Sequence, residues 1–140
     1  MDYKPIHLFV YGTLQHPHIW RGVVRGDYKK SFAVLKHYRA CVLKGKVFPG
    51  LTYQESTFAK GIIYFDISND DIKRLDSFEG PQYKRVEVFP VIGGEQKVSC
   101  HTYLFKGDPS ILTSEIWSFD QYLREGHDKF LTRYSGWDKI

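Results

Sequence analysis

Two stretches of alternating residues around a glycine pair constrain the fold of this chain more than any other feature. Valines alternate with charged residues within positions 83–92, and apolar and polar residues alternate again over 96–105. Alternation with a period of two is typical of strands that bury one face and expose the other. Gly93-Gly94 lies between them and favours a two-residue turn, because glycine accepts positive φ angles. The pattern predicts an antiparallel hairpin.

Other extended segments come earlier in the chain. Residues 6–11 form a short apolar and aromatic run that ends at Gly12, and residues 31–43 mix β-branched and aromatic side chains. Residues 58–67 have the same character. These compositions predict strands. The FPGL sequence at 48–51 predicts a turn, because proline presets φ and glycine tolerates positive φ.

One helix is clearly marked at its start. Ser68 and Asp71 resemble a capping box with aspartate in place of the usual glutamate or glutamine. Ile67 and Ile72 occupy the two positions of a hydrophobic staple. Apolar residues then recur at helical spacing. The pattern predicts a helix over residues 69–78.

Weaker helical patterns flank these segments. A short helix is predicted through Ile19 and Val23, and a helix broken near Gly126 is predicted over residues 113–134. Several strands precede any long helix, and hairpin signals outweigh β-α-β signals. The sequence therefore predicts an α+β fold with a mostly antiparallel or barrel-like sheet and helices on its outside. No linker composition divides the chain, so we expect one domain over residues 1–140.

Charge and cysteine content bear on partners and setting. The net charge is +4 and the pI is about 9.0, but no run of Lys and Arg exceeds two residues. Nucleic-acid sites cluster their positive charge, so this scatter argues against a nucleic-acid partner.

Two distant cysteines, Cys41 and Cys100, favour a reduced, cytoplasmic setting. The sequence shows neither the apolar run of a signal peptide nor the roughly 18 apolar residues of a membrane span.

The first candidate for chemistry is the FVYGTL segment at residues 9–14. Here an apolar strand ends at Gly12, whose missing side chain lets the backbone approach a ligand. Successive N–H groups in such a turn form a concavity that binds a carboxylate or a developing oxyanion. An ordinary strand-to-helix turn is the alternative interpretation.

The second candidate is Glu79, which follows the predicted helix and precedes Gly80. The C-terminal end of a helix carries partial negative charge, which disfavours an ionised carboxylate. An apolar pocket would raise the pKa of Glu79 further by desolvation, toward the range that is useful for proton transfer near neutral pH. A solvated surface glutamate in a connecting turn is the alternative.

Other functional motifs are weak or missing in this sequence. His16 and His18 could bind a metal, but no carboxylate or thiol set completes the site. No nucleophile elbow, P-loop or dinucleotide-binding glycine motif is present. Cys41 lies within a strand pattern and fits a core position. We therefore predict neither a metal nor an organic cofactor.

FVYGTL at residues 9–14, followed by LDSFEGPQYKRVEV at residues 75–88, resembles the gamma-glutamyl cyclotransferase-like family. This family includes avirulence-induced-gene-like plant proteins and gamma-glutamylamine cyclotransferases. FPGL at 48–51 and GIIYFDI at 61–67 also resemble its middle section. The resemblance implies a small mixed β-barrel with flanking helices, and a pocket between the YGTL turn and the segment that bears the glutamate.

The resemblance also implies a reaction. Glu79 matches the family's general acid/base, and Tyr83 would help to close the pocket. The substrate is a small gamma-glutamyl amine or amino acid, which would be cyclised to 5-oxoproline with release of the amine. A module that binds a carboxylate or amine metabolite without turnover is the alternative, and the oligomeric state stays open. The residues that would hold the gamma-glutamyl group are Tyr11, Gly12, Thr13 and Leu14.

Overall fold

A curled β-sheet forms the frame of residues 5–126, the part of the chain that the computed structural model describes. The first strand pairs antiparallel with the third and parallel with the seventh, so the sheet is mixed. Helices accompany this sheet, and the predicted α+β class is confirmed. The strands are β1 (Ile6–Val10), β2 (Lys30–Leu43), β3 (Pro49–Ile67), β4 (Tyr83–Val88), β5 (Val91–Ile92), β6 (Gln96–Lys97), β7 (Cys100–Phe105) and β8 (Leu112–Ile116). The helices are α1 (Pro17–Val23), α2 (Asn69–Glu79) and α3 (Phe119–Gln121).

The strand order explains the curl. The order is β4-β7-β1-β3-β2-β5-β6, and β8 pairs with β2. β4 and β5 lie far apart in this order, although only Phe89 and Pro90 separate them along the chain. The sheet therefore bends round on itself, and the small barrel implied by the resemblance is present as a half-barrel. Pro90 interrupts the strand because proline cannot donate a ladder hydrogen bond.

β1 separates the two parts of the core. Leu8 and Val10 belong to an apolar cluster that includes residues of α1 and α2. Phe9 and Tyr11 belong to a second cluster inside the curl of the sheet. This division follows from the two-residue period of a strand. Because β1 is buried on both faces, the turn that follows it is firmly positioned.

The helix predicted over residues 69–78 is confirmed as α2. The Ser68 hydroxyl accepts a hydrogen bond from the Asp71 amide at 3.1 Å, as a helix-capping residue does. Ile67 and Ile72 are both buried in the cluster outside the curl, where the staple was expected. Local signals therefore determine where this helix begins.

The turn predicted at residues 48–51 is wrong. Pro49 begins β3 and pairs with Val42, while the turn lies at Lys44 and Gly45. Gly45 has a φ of +72°, a conformation that favours glycine. Proline fits the first residue of a strand because no ladder donor is required there.

The helix predicted over residues 113–134 is wrong at its start. Residues 112–116 form β8, which pairs with β2, and helical structure begins only at Phe119. Pairing with an available strand edge outweighs a weak helical pattern. A π-helical turn, Tyr122–Gly126, follows α3, and the remainder of the predicted helix lies outside the described residues.

The hairpin around Gly93-Gly94 is confirmed, with one difference. β4 pairs antiparallel with β7, and β5 with β6. Ile92 pairs with Gln96, so the turn has three residues rather than two. The predicted strand over 83–92 is divided into β4 and β5.

Candidate active site

All six residues that sequence analysis assigns to the site line one cavity of about 180 Å³. Four of them, Tyr11 to Leu14, form the turn after β1, while Glu79 ends α2 and Tyr83 begins β4. The parallel pairing of β1 with β7 brings a further tyrosine to the same place. The lining residues to which sequence analysis assigned no role are Phe9, Val10, Phe48, Pro49, Ser77, Phe78 and Tyr103.

The turn after β1 is braced from within the protein. Thr13–Gln15 form a short 3-10 helix, and the Gln15 side-chain amide donates to the carbonyl oxygens of Tyr11 at 2.9 Å and Gly12 at 3.3 Å. A Cβ atom on Gly12 would lie 2.9 Å from Cδ of Pro49, so glycine is needed for this close approach. The first N–H groups of a helical turn have no acceptor within the turn, and the residues that carry them here line the cavity.

Gly80 explains why Glu79 lies at the cavity. Gly80 has a φ of +82° and a ψ of −172°, a conformation essentially restricted to glycine. Its amide donates to the Asp76 carbonyl at 3.1 Å, which closes the last turn of α2. The chain then turns into β4 at Tyr83, and the helix ends with the Glu79 side chain in the cavity wall.

Glu79 is a weak acid in this setting. Burial, and then the negative charge of Asp76, raises the pKa of Glu79 from 4.5 to about 8. Protein atoms crowd the carboxyl, although the side chain keeps partial contact with solvent at the cavity. With this pKa, Glu79 is mostly protonated at pH 7.

Three tyrosines shape the cavity, and each directs its hydroxyl to another protein group. Tyr11 donates to the Tyr103 carbonyl oxygen and Tyr83 to that of Pro49, both at 2.7 Å. Tyr103 donates to the Asp76 carboxylate at 2.7 Å. Burial raises the pKa of Tyr11 and of Tyr103, so both phenols stay neutral. Tyr11 and Tyr103 are therefore poor candidates for a base at neutral pH.

Asp76 holds the end of α2 against the sheet, and sequence analysis did not identify it. Its carboxylate accepts hydrogen bonds from Arg85 Nε on β4 at 3.0 Å and from the Tyr103 hydroxyl on β7 at 2.7 Å. These bonds position the residue one helical turn before Glu79. The sequence signal for Asp76 was its position in the LDSFEG motif. Its partners lie later in the chain, so the motif does not reveal them.

Other sequence candidates lie away from the cavity. His16 Nδ1 accepts a hydrogen bond from the His18 amide at 3.1 Å and thereby caps α1. Cys41 and Cys100 are buried, and burial raises the pKa of the Cys100 thiol to about 12. Within residues 5–126, no cluster of three His, Cys, Asp or Glu side chains could hold a metal ion. The helices of that same range are all too short or too polar to cross a bilayer.

Comparisons with known proteins agree with the motifs and the fold. The family model described as gamma-glutamyl cyclotransferase, AIG2-like, matches residues 8–119. AIG2-like protein C of Arabidopsis thaliana is 30% identical over 129 residues, covering 89% of this chain and 73% of that protein. A solution structure from A. thaliana has a TM-score of 0.73 at 26% identity, covering 99% of this chain and 86% of that one. A solved gamma-glutamyl cyclotransferase shares the fold, with a TM-score of 0.61 at 16% identity over 73% of this chain and 67% of its own. The chain therefore belongs to the AIG2-like gamma-glutamyl cyclotransferase family.

Proposed function

We propose that this protein is a gamma-glutamyl cyclotransferase-type enzyme that converts a gamma-glutamyl amine or amino acid into 5-oxoproline and the free amine. One observation carries the proposal: Glu79, a carboxyl group with a pKa of about 8, shares a cavity with the first amides of a tight turn. Perturbed acids in cavities are candidates for proton transfer. Membership of the family supports the same general class of enzyme.

The substrate's own α-amine is the nucleophile in this reaction. Its nitrogen attacks the γ-carbonyl carbon and forms the C–N bond of a five-membered lactam, and the C–N bond to the departing amine breaks. The attacking nitrogen passes from an ammonium to a lactam N–H and loses two protons. The leaving nitrogen gains two protons, so the reaction needs a group that can accept and return protons.

Glu79 suits this transfer. Its ionised form would take a proton from the α-ammonium, and its protonated form would deliver one to the leaving nitrogen as the bond breaks. A pKa of about 8 keeps both forms populated near neutral pH. An ordinary glutamate would be a much weaker base, because its pKa lies near 4.3.

The turn after β1 would supply the complementary partial charge. The amides of Gly12, Thr13 and Leu14 would bind the α-carboxylate or the tetrahedral oxyanion. Because Gln15 holds the carbonyl groups of the turn, the amides are oriented before substrate arrives. The aromatic walls would also fold the substrate so that amine and carbonyl meet. Well-oriented intramolecular reactions reach effective molarities of about 10⁵–10⁸ M.

Glu79→Gln tests the proposal, because it keeps the shape of the side chain and removes the base. We expect release of 5-oxoproline to fall by about 10²–10⁴-fold. Glu87→Gln is the matched control, since it removes the same charge from an exposed position on β4 and should keep the parent rate. The assay measures 5-oxoproline by chromatography with gamma-glutamyl amino acids, gamma-glutamyl-lysine and glutathione.

Two outcomes would contradict the proposal. An unchanged rate in Glu79→Gln would remove Glu79 from the mechanism. Binding of gamma-glutamyl compounds by the parent without 5-oxoproline would indicate a non-catalytic binding module. Ligand titration followed by NMR distinguishes this second outcome from a failure to bind.

A further inference from the structure

The cavity at Glu79 has room for only part of a gamma-glutamyl compound. Its volume is about 180 Å³, whereas sites for drug-sized molecules span roughly 300–1,000 Å³. The gamma-glutamyl group is the part that the proposed reaction brings to Glu79. The amine that leaves would therefore extend beyond this cavity.

The protein has a second, larger cavity that shares one lining residue with the first. Its volume is about 790 Å³, and Tyr11 lines both cavities. Gln15, which braces the turn after β1, lines it as well. Ala40 on β2 and Ala59 on β3 leave space in its lining, because their side chains are small. Its volume falls within the usual range for small-molecule sites.

Large apolar side chains in this second cavity are exposed to solvent. The exposed fractions are 84% for Phe32, 58% for Phe58 and 65% for Ile116. Apolar exposure along a cavity of this kind marks a binding surface. An apolar group that packs against one of these side chains would remove part of its surface from water.

Arg39 brings a cation with neutral partners to the same cavity. Its Nη1 donates to Gln54 Oε1 at 3.4 Å and its Nη2 to the Ser114 carbonyl, while its buried Nε has no acceptor in residues 5–126. No described carboxylate forms a salt bridge with it. Lys60 adds a second positive charge to the lining and Asp120 one negative charge. A guanidinium with neutral partners suits a carboxylate ligand.

We infer that the second cavity binds the leaving part of the substrate and selects an amino acid with an apolar side chain over a simple amine. This inference rests on the proposed function, which places the reacting carbonyl at Glu79. The apolar side chain would lie against Phe58, whose partner Lys36 is three residues from Arg39 on β2, and the carboxylate of the leaving amino acid would accept hydrogen bonds from Arg39. The bond that breaks would then lie near the junction of the two cavities.

A matched pair of compounds tests the inference. Gamma-glutamyl-phenylalanine and gamma-glutamyl-phenethylamine differ only by the carboxylate of the leaving group. Calorimetry with the Glu79→Gln variant measures their binding without turnover. We expect the acid to bind at least about tenfold more tightly, because a hydrogen bond to a charged group contributes this much or more.

Variants of two cations then locate the source of the preference. Adding Arg39→Met to the Glu79→Gln variant should weaken binding of the acid about tenfold and leave the amine within about twofold. Lys36→Met is the matched control, because Lys36 is an exposed cation on the same strand and does not line the cavity. It should preserve the preference.

The outcomes separate this inference from the proposed reaction. If the Glu79→Gln variant binds the two compounds equally, or binds neither, the inference is overturned. This result does not depend on any Arg39 variant. Equal weakening of both compounds by Arg39→Met would also overturn it. Turnover by the parent is measured separately. If the preference holds but no 5-oxoproline forms, the reaction fails and the second site stands.

Discussion

Asp71 and Glu79 are carboxylates at opposite ends of the same helix, and their pKa values move in opposite directions. Asp71 lies in the first turn of α2 and Glu79 is its last residue. Burial by itself raises the pKa of each group. Nevertheless, the pKa of Asp71 is lowered, whereas that of Glu79 is raised to about 8. Burial alone therefore does not distinguish a structural carboxylate from a candidate catalytic one.

Hydrogen-bond donors account for the behaviour of Asp71. Burial is the largest single influence on this group, but four donors together outweigh it. The partial positive charge at the helix N-terminus acts in the same direction. The donors are the Tyr28 hydroxyl at 2.6 Å, Arg74 Nη1 at 2.7 Å and the amides of Arg25 and Gly26, both at 2.9 Å.

Glu79 has the opposite surroundings. Its largest influence is also burial, but the next is the negative charge of Asp76, and no hydrogen-bond donor among the described residues lowers its pKa. The helix C-terminus adds partial negative charge. Such a site lowers the stability of the folded protein when Glu79 ionises, and it provides an acid that titrates near neutral pH.

The largest effect that would test this comparison is expected from Asp71→Asn. The substitution keeps the shape of the side chain but removes the charge that four donors share, so the free energy of unfolding should fall by about 2–4 kcal/mol. Asp70→Asn is the matched control, since Asp70 is exposed in the same helical turn and its loss should change stability by less than about 1 kcal/mol. Urea unfolding measures both.

The pH dependence of Asp71→Asn sharpens the same test. A lowered pKa means that Asp71 stabilises the fold above pH 3.8 and that this stabilisation is lost as the pH falls through the folded-state pKa. The difference between parent and variant should therefore shrink in acid. A difference that stays constant with pH would show that shape, and not charge, accounts for the stabilisation.

The second prediction concerns Glu79→Gln and has the opposite sign. The pKa of Glu79 rises from 4.5 to about 8 on folding, so its favourable contribution is complete below pH 4.5 and is lost as the pH rises through 8. Glutamine does not titrate, so the variant should be more stable than the parent at pH 9 by about 1–3 kcal/mol, allowing for partial solvent contact. Thermal unfolding from pH 4 to 9 measures this. A variant that is less stable than the parent at pH 9 would contradict the assignment of Glu79 as a destabilised acid.

Sequence alone predicts those parts of the molecule that local signals determine. The Ser68 cap and the Gly80 turn set the ends of α2, and they correctly place Glu79 at its last turn. The alternation along β4 and β7 correctly predicts their pairing. The FVYGTL motif identifies the turn that shares a cavity with Glu79. Each of these signals acts within a few residues along the chain.

Features that depend on distant partners are not predicted. β8 forms because β2 offers an edge to it, and the sequence around residues 112–116 does not reveal that partner. Asp76 contacts Arg85 and Tyr103 only after α2, β4 and β7 have packed together. Similarly, the second cavity exists only once β2 and β3 have paired. Tertiary pairing decides all three.

The smallest effect is expected from Asp76→Asn, which changes the surroundings of Glu79 without changing its burial. The amide oxygen can still accept a hydrogen bond from Tyr103, while the negative charge near Glu79 is removed. The pKa of Glu79 should fall, by at most about one unit because Asp76 is partly exposed and screened. It should stay above 4.5, since burial is the larger cause of its rise. Carbon-13 NMR titration of the Glu79 carboxyl measures the change directly, with Asp70→Asn as a control that removes the same charge from the far end of α2. An unchanged pKa in Asp76→Asn would show that burial accounts for the whole rise, and the contrast with Asp71 would then depend on donors alone.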